Sequence, residues 1–443
     1  MSGCAFSRRA LPAIGYAVFI WSSLDLITLE EVSPDMLMAG FVYLAAWLLV
    51  LIAKQPAKRF WFAVLLGLVL GLGYLAKAPM FPLAFVYWGA SLLLFGTWRR
   101  ALPFVLLEMI VFGIVVSPWI IALSRSKGRV TFGESGKINY LVNVNHASPS
   151  WYFQDVGTGG GHYLHTTRKV FDHPRIFEFA TPIKGTQPVW YDATYWADGA
   201  VPRIHLRTEL LTVIKYVKKY SHMLLSNQAA LLVGLVGLFC VGRKKGCSAG
   251  IAACWPVWLP GLVGLAMYSL VWVEPRYVAV FFTLLWTGLF AGIRLPAEYE
   301  LRNLARVLTI TMVLVMGAPM AFLAIRDSAS ALIGTRHVQW EVAEGLKHLS
   351  VRSGDKVARI GGDFGADWAR LLQVTVVAEV PHSDAQEFWA APPEVQAQVI
   401  RKFTEMGVTA MVAQIAQLET FKPSGMWEAL GGGAFYALPL RQK

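Results

Sequence analysis

Charge is scarce in this sequence. Asp, Glu, Lys and Arg together make up 15% of its 443 residues, against about a quarter in soluble domains, and that shortage excludes an ordinary water-soluble globule. Cysteine is scarce as well. All four, Cys4, Cys240, Cys247 and Cys254, lie outside the two long polar segments 124–222 and 326–443, so neither segment carries a disulfide framework. The opening MSGCAFSRRALPAIG lacks a small-residue cleavage pattern, and the first apolar run therefore reads as a span rather than a removable signal. No internal repeat is visible, which weighs against a secondary transporter.

What the chain has instead is apolar surface: 56% of residues are hydrophobic and 13% aromatic. Apolar runs fall at about 11–29, 36–53, 60–76, 79–96, 101–123, 224–242, 251–272, 277–293 and 304–325, each near the roughly 17–25 residues that cross a bilayer as helix. Nine spans are expected, the first being the weakest because Asp25 interrupts it. The block 60–96 as one helix would run to roughly 55 Å, nearly twice the hydrocarbon thickness. It must break, and Ala76-Lys77-Ala78-Pro79 is the break, since proline disfavours helix in the residue before it. Lys77 is thereby placed at a hairpin tip near a membrane surface.

Every second connection is basic: Lys54, Lys58 and Arg59; Arg99 and Arg100; Arg243, Lys244 and Lys245; Arg294, Arg302 and Arg306. Basic short loops face the cytoplasm. The alternate connections, with Asp35, Lys77, segment 124–222 and Val273–Tyr277, are then extracytoplasmic, as is everything beyond about Ile325. The expected fold class is a polytopic all-α membrane protein with a C-terminal extracytoplasmic α/β domain. Its regions are N-terminal membrane helices (1–123), an outer loop region (124–222), a second set of membrane helices (223–325) and the α/β domain (326–443).

Segment 124–222 holds 13 basic and 7 acidic residues. Phosphate-bearing lipid headgroups and plain solubility both account for that excess; nucleic acid is disfavoured as a partner by location. The segment is aromatic and punctuated by Gly and Pro, as in WYFQDVGTGGGHYLH and PVWYDATYW, and lacks a sustained period, which predicts irregular structure with short helices near its ends. The tail alternates types: helix at 337–349, strand 356–361, helix 365–372, strand 374–380, helix 393–406, strand 408–413 and a last strand around 434–439.

The candidate chemistry gathers on the expected outer face. Asp35 follows Ser33-Pro34 at a helix start, where a carboxylate suits the first turn; a plain helix cap is the competing reading. Lys77 and Arg276 are cations at the outer ends of apolar helices, where ionisable groups are candidate functional sites or simply snorkel to headgroups. Glu274 and Arg276 flank Pro275 and could pair with each other. Glu108, buried by position in its span, is expected to pair with a neighbouring helix. His162-x-x-His165 with Asp172-His173 could supply metal ligands, but the spacing fits no strong signature, and surface or acceptor-contacting histidines are favoured. Gly157–Gly161 and Gly361–Gly365 read as a hinge and a tight turn before they read as anion-binding loops.

The run SPDMLMAGFVYLAAWLLV from Ser33, GLVLGLGYLAKAPMFPLAFVYW from Gly67, SPW at Ser117–Trp119 and EPRYVAVFFTLLWTGLFAG from Glu274 resemble the GT-C superfamily of integral-membrane glycosyltransferases. The nearest branch is that of the bacterial relatives of protein O-mannosyltransferases and of the aminoarabinose transferase of lipid A. The resemblance covers about residues 11–325. It implies a glycosyltransferase that moves a sugar from a polyprenyl-phosphate carrier to an extracytoplasmic acceptor, with no obligatory cofactor. It further implies Lys77 and Arg276 as donor-phosphate ligands, with Asp35, Glu274 and Tyr277 in support. Family members carry their principal catalytic Asp in an outer loop before the helices matched here, so that residue is expected N-terminal to this chain. Sequence alone leaves open a non-catalytic binding or scaffold relative.

Overall fold

The computed structural model describes residues 10–27, 33–133, 135–146, 167–184, 201–226, 228–241, 244–294, 299–332, 338–361, 366–415, 423, 425–433 and 435–440. Its contacts divide the chain into two units, Met1–Val144 with Ile204–Ser328, and Asn145–Arg203 with Ala329–Lys443. Segment 124–222, a single region by sequence, contributes to both.

The first unit is helical. Its elements are α1 (Ala10–Trp21, continued by a π-helical turn at Ser22–Ile27), α2 (Asp35–Lys54), α3 (Arg59–Ala76), α4 (Met80–Leu94), α5 (Trp98–Lys127), α6 (Ser135–Asn143), α7 (Leu206–Ser226), α8 (Ala229–Val241), α9 (Lys244–Ala253), α10 (Trp255–Ser269), α11 (Pro275–Gly292) and α12 (Tyr299–Leu332). Among the described residues, five helical stretches are long and apolar enough to cross a membrane: Ala10–Ile27, Asp35–Lys54, Pro56–Ala76, Trp98–Lys127 and Asn303–Arg326. Two bent pairs, Leu206–Ser226 with Ala229–Cys240 and Gly246–Ala253 with Trp255–Ser269, raise the number to seven if each pair is one span. Of the nine runs expected to span, five coincide with these straight stretches and two fall in the bent pairs, while 79–96 and 277–293 form α4 and α11. The run 79–96 yields a helix of only 15 residues, about 22 Å at the helical rise and short of a roughly 30 Å core. The runs at 224–242 and 251–272 belong to bent pairs rather than to straight spans.

The break at Ala76–Pro79 is where the sequence places it. Lys77 caps α3 in extended conformation, and Pro79 caps the start of α4. The glycines before it have a packing task. A Cβ at Gly67 would stand 2.5 Å from the Glu108 carbonyl oxygen, and one at Gly71 would stand 2.8 Å from the Val115 Cβ. Small residues one turn apart let α3 approach α5 closely, as is common between membrane helices. The side chain of Glu108 faces α4, accepting a 2.7 Å hydrogen bond from the Ser91 hydroxyl, which is the neighbouring-helix contact expected of it.

The second unit is built on a seven-stranded sheet. Its elements are β1 (Thr167–Asp172), β2 (Arg175–Lys184), α13 (Val338–His348), β3 (Lys356–Ile360), α14 (Asp367–Leu372), β4 (Thr375–Val380), α15 (His382–Ala390), α16 (Pro393–Glu405), β5 (Ala410–Gln414), β6 (Glu428–Leu430) and β7 (Phe435–Pro439). Strand order is β1-β2-β4-β3-β5-β7-β6. The central β4-β3-β5 pairs are parallel and the outer pairs antiparallel. Alternation along β3 feeds two cores, Ala358 and Ile360 packing with Phe388 and Phe403, and Val357 with Val342 and Trp368. Helices therefore cover both faces.

The β1–β2 hairpin corrects the irregular reading of its segment. It joins the sheet by pairing β2 with β4, and its turn is pinned by Arg175, whose Nε and Nη2 each donate a 2.8 Å bond to the Asp384 carboxylate. Burial pushes the Asp384 carboxyl upward, but the bonds from Arg175 and Ser383 outweigh it and hold the group below the usual carboxylate range.

The Gly67 contact makes a prediction. Because the clashing atom is a backbone carbonyl, Gly67→Ala must push α3 and α5 apart, at a cost of about 1–3 kcal/mol. The expected outcome is a lower unfolding midpoint in detergent, with Gly89→Ala, which meets open space, as the neutral comparison. Equal midpoints for the two variants would contradict the close packing.

Candidate functional site

Ser33-Pro34 starts α2, and Pro34 occupies the cap position without a side-chain capping bond. The Asp35 carboxylate is therefore not spent on its own helix end. It is 3% exposed and is reached from three directions. The Ser33 hydroxyl donates to Oδ2 at 2.7 Å; the Lys77 ammonium donates to Oδ1; and Arg276 Nε stands 3.7 Å from Oδ2. Residues from α2, from the α3–α4 turn and from the first turn of α11 meet at one carboxylate.

Tyr277 is the other shared partner. Lys77 Nζ lies 3.9 Å from the centre of its ring and the Arg276 guanidinium 5.1 Å, both within cation–π range, and Arg276 Nη2 donates to its hydroxyl at 3.4 Å. The ring packs between Tyr268 and Trp272. Pro275 supports this placement: a proline in the first helical turn fixes the entry of α11, and Glu274 before it is extended. Glu274 stands 3.8 Å from the Lys219 ammonium of α7, which also donates a 2.6 Å bond to the Val273 carbonyl.

The structure thus brings together Asp35, Lys77, Arg276 and Tyr277, with Glu274 and Lys219 beside them. Lys219 was not singled out by sequence, where it is one of several lysines on a basic helix; the signal that marks it is the packing of α7 against α10. Burial pulls the Lys77 ammonium below the ordinary lysine range, and the charge and hydrogen bond of Asp35 oppose that fall.

A pocket of about 370 Å³ opens beside the cluster, with Lys77 and Tyr277 in its wall. Its lining is largely apolar, including Pro79, Phe81, Phe132, Met267 and Trp272; Ser135 and Asn139 of α6 add polar groups. Phe132 is held in place twice, by stacking on Phe81 at 4.8 Å and by a 2.7 Å bond from the Tyr74 hydroxyl to its carbonyl. Helix α6 is tied to α7 by the Tyr140 hydroxyl, which donates to Glu209; that bond, with burial and the Glu209 charge, pushes the phenol up to about 12. The Tyr268 hydroxyl is buried without a hydrogen-bond partner among the described residues.

Other sequence candidates fall elsewhere. Asp172 and His173 lie at the β1–β2 turn, where His173 Nδ1 stands 3.3 Å from Glu387, and His162, His165 and Gly157–Gly161 lie outside the described residues. Of Gly361–Gly365 only Gly361 is described, at φ 63°. Among the described residues no three His, Cys, Asp or Glu side chains group as metal ligands.

The fold and cluster define a mostly helical protein with several helices long and apolar enough to cross a membrane and a small sheet-bearing unit. No protein-family model matches the chain, and no curated protein or solved structure matches it.

Asp35 makes a testable statement about Lys77. Its negative charge favours the protonated amine, so removing that charge must let the proton leave at lower pH. In Asp35→Asn, the pH midpoint for acylation of the Lys77 amine, followed by mass spectrometry, is expected below that of the parent chain. An unchanged or higher midpoint would contradict the pairing.

Proposed function

We propose that this chain is a membrane glycosyltransferase of the GT-C type, which takes a sugar from a polyprenyl-phosphate carrier and passes it to an acceptor on the extracytoplasmic side. The observation that carries the reading is the meeting of Lys77 and Arg276 at Asp35, beside an apolar pocket. A lipid-phosphate donor has those two parts, an anionic headgroup and a hydrocarbon chain.

Breaking the bond between sugar and lipid phosphate leaves charge on the phosphate. Fixed cations in a partly dehydrated site stabilise that charge as it develops. Lys77 offers a point charge, and Arg276 a planar fork able to hold two phosphate oxygens. Asp35 keeps both heads aimed at one place and favours the protonated form of Lys77, which makes it a positioning residue. Tyr277 supplies a ring on which both cations rest. The described residues are assigned no general base, because the Asp35 carboxylate is committed to two donors, Ser33 and Lys77, and to the Arg276 ion pair.

Orientation follows from the basic connections. With the loops bearing Lys54 to Arg59 and Arg99–Arg100 in the cytoplasm, the Asp35 cluster and the sheet-bearing unit are extracytoplasmic. In a background without the native cysteines, Ser353→Cys is expected to react with an impermeant thiol reagent on intact spheroplasts, and Gln55→Cys only after lysis. The reverse pattern would sink the orientation.

Binding tests the site. Lys77→Gln and Arg276→Gln each keep an amide able to bond Asp35 while removing a positive charge. A lost charged hydrogen bond to phosphate is worth about 1.5–3 kcal/mol, so each variant of the full chain in nanodiscs is expected to bind a polyprenyl-phosphate sugar roughly 10- to 100-fold more weakly. Unchanged affinity in both, with unfolding midpoints intact, would remove the donor-phosphate role.

A further inference from the structure

Helix α7 carries apolar residues on two sides. Thr212, Tyr216 and Met223 are buried within the first unit. Leu206, Leu210, Ile214, Val217 and Leu225 instead stand exposed, from 43% at Ile214 to 85% at Leu206. Their spacing of three, four and eight residues places them on one stripe of the helix.

Two further features say what covers that stripe. Helix α7 meets the apolar helix α8 at 79°, and Val233 and Val236 of α8 are themselves exposed. If α8 enters the bilayer, α7 runs along its surface. The charge on α7 is also one-sided: Arg207, Lys215, Lys218 and Lys219 stand against the single acid Glu209, whose carboxylate accepts the Tyr140 bond. Lys219 is engaged with Val273 and Glu274. At about 100° per residue, Arg207 and Lys218 fall along one edge of the apolar stripe and Lys215 about 80° past that edge, with the exposed Leu211 between them. An apolar stripe bordered by cations is the arrangement by which a helix lies in the interface of an anionic leaflet, and here the cations border it along one edge.

We propose that α7 is an interfacial helix that binds anionic phospholipid, with Leu206, Leu210, Ile214 and Val217 in the acyl boundary and Arg207, Lys215 and Lys218 on headgroup phosphates. The recognition is by charge and by the depth of the stripe, and it is separate from the Asp35 cluster. Because α7 also holds Glu274 through Lys219, the lipid surface and the cluster share one rigid element.

The test uses the full chain without native cysteines, in nanodiscs of phosphatidylcholine with phosphatidylglycerol. Spin labels at Leu210→Cys and Ile214→Cys are expected to be open to oxygen and shielded from a water-soluble nickel chelate, and a label at Lys215→Cys to show the reverse order. Among lipids that copurify with the chain, phosphatidylglycerol is expected to be enriched, and the Arg207→Gln/Lys215→Gln/Lys218→Gln variant to lose at least about fivefold of that enrichment, since each basic side chain near an anionic surface contributes on the order of one such factor. Nickel access at Leu210 and Ile214 would show the stripe in water and overturn the proposal. Shielding from both reagents would show a protein partner or second copy on it and overturn the lipid assignment. Enrichment unchanged in the triple variant would overturn the role of the three cations.

Discussion

A carboxylate taken out of water must be compensated, and at Asp35 the compensation comes from cations on two different parts of the bundle. Leaving such a group buried without its partners costs about 3–5 kcal/mol, so α2, the α3–α4 turn and the start of α11 are held in one arrangement by a single acid. The same constraint keeps two like charges, Lys77 and Arg276, close together in a setting where their repulsion would otherwise separate them. Their proximity is the basis of the proposed binding of a further anion. Asp35 is thus the residue about which the cluster is assembled.

The surrounding packing serves that arrangement. Gly67 and Gly71 draw α3 against α5, which fixes the level at which α3 ends and Lys77 emerges. Pro79 and Pro275 begin α4 and α11 on either side of the cluster. Tyr277, wedged against Tyr268 and Trp272, gives both cations a surface less polar than water. The apolar pocket beside Lys77 follows from the same geometry, because the chain between α5 and α6 folds Phe132 onto Phe81.

Much of this was legible in the sequence because its causes are local. A lone lysine before a proline in an apolar block marks a helix break, and the period of the tail places α13, β3, α14, β4, α16, β5 and β7 within a few residues. The β1–β2 hairpin was not legible as part of that sheet, since β2 pairs with β4 some two hundred residues away and nothing local announces the partner. Its Ile-Phe-Glu-Phe at 176–179, rich in β-branched and aromatic residues, was the available sign. The length of α4 and the bends at α7–α8 and α9–α10 escaped for a related reason: hydropathy reports composition, while helix ends are set by neighbours. Asp35 was readable as a helix-start residue, but its two cationic partners are 42 and 241 positions away, and only the fold could join them.

The most direct measurement is a cryo-electron microscopy structure of the full chain in nanodiscs with a polyprenyl-phosphate sugar bound. The account predicts phosphate density within hydrogen-bonding distance of the Lys77 ammonium and the Arg276 guanidinium, with the first part of the lipid chain in the pocket beside Phe81 and Trp272. Phosphate density elsewhere, with Lys77 and Arg276 still closed on Asp35 alone, would contradict it.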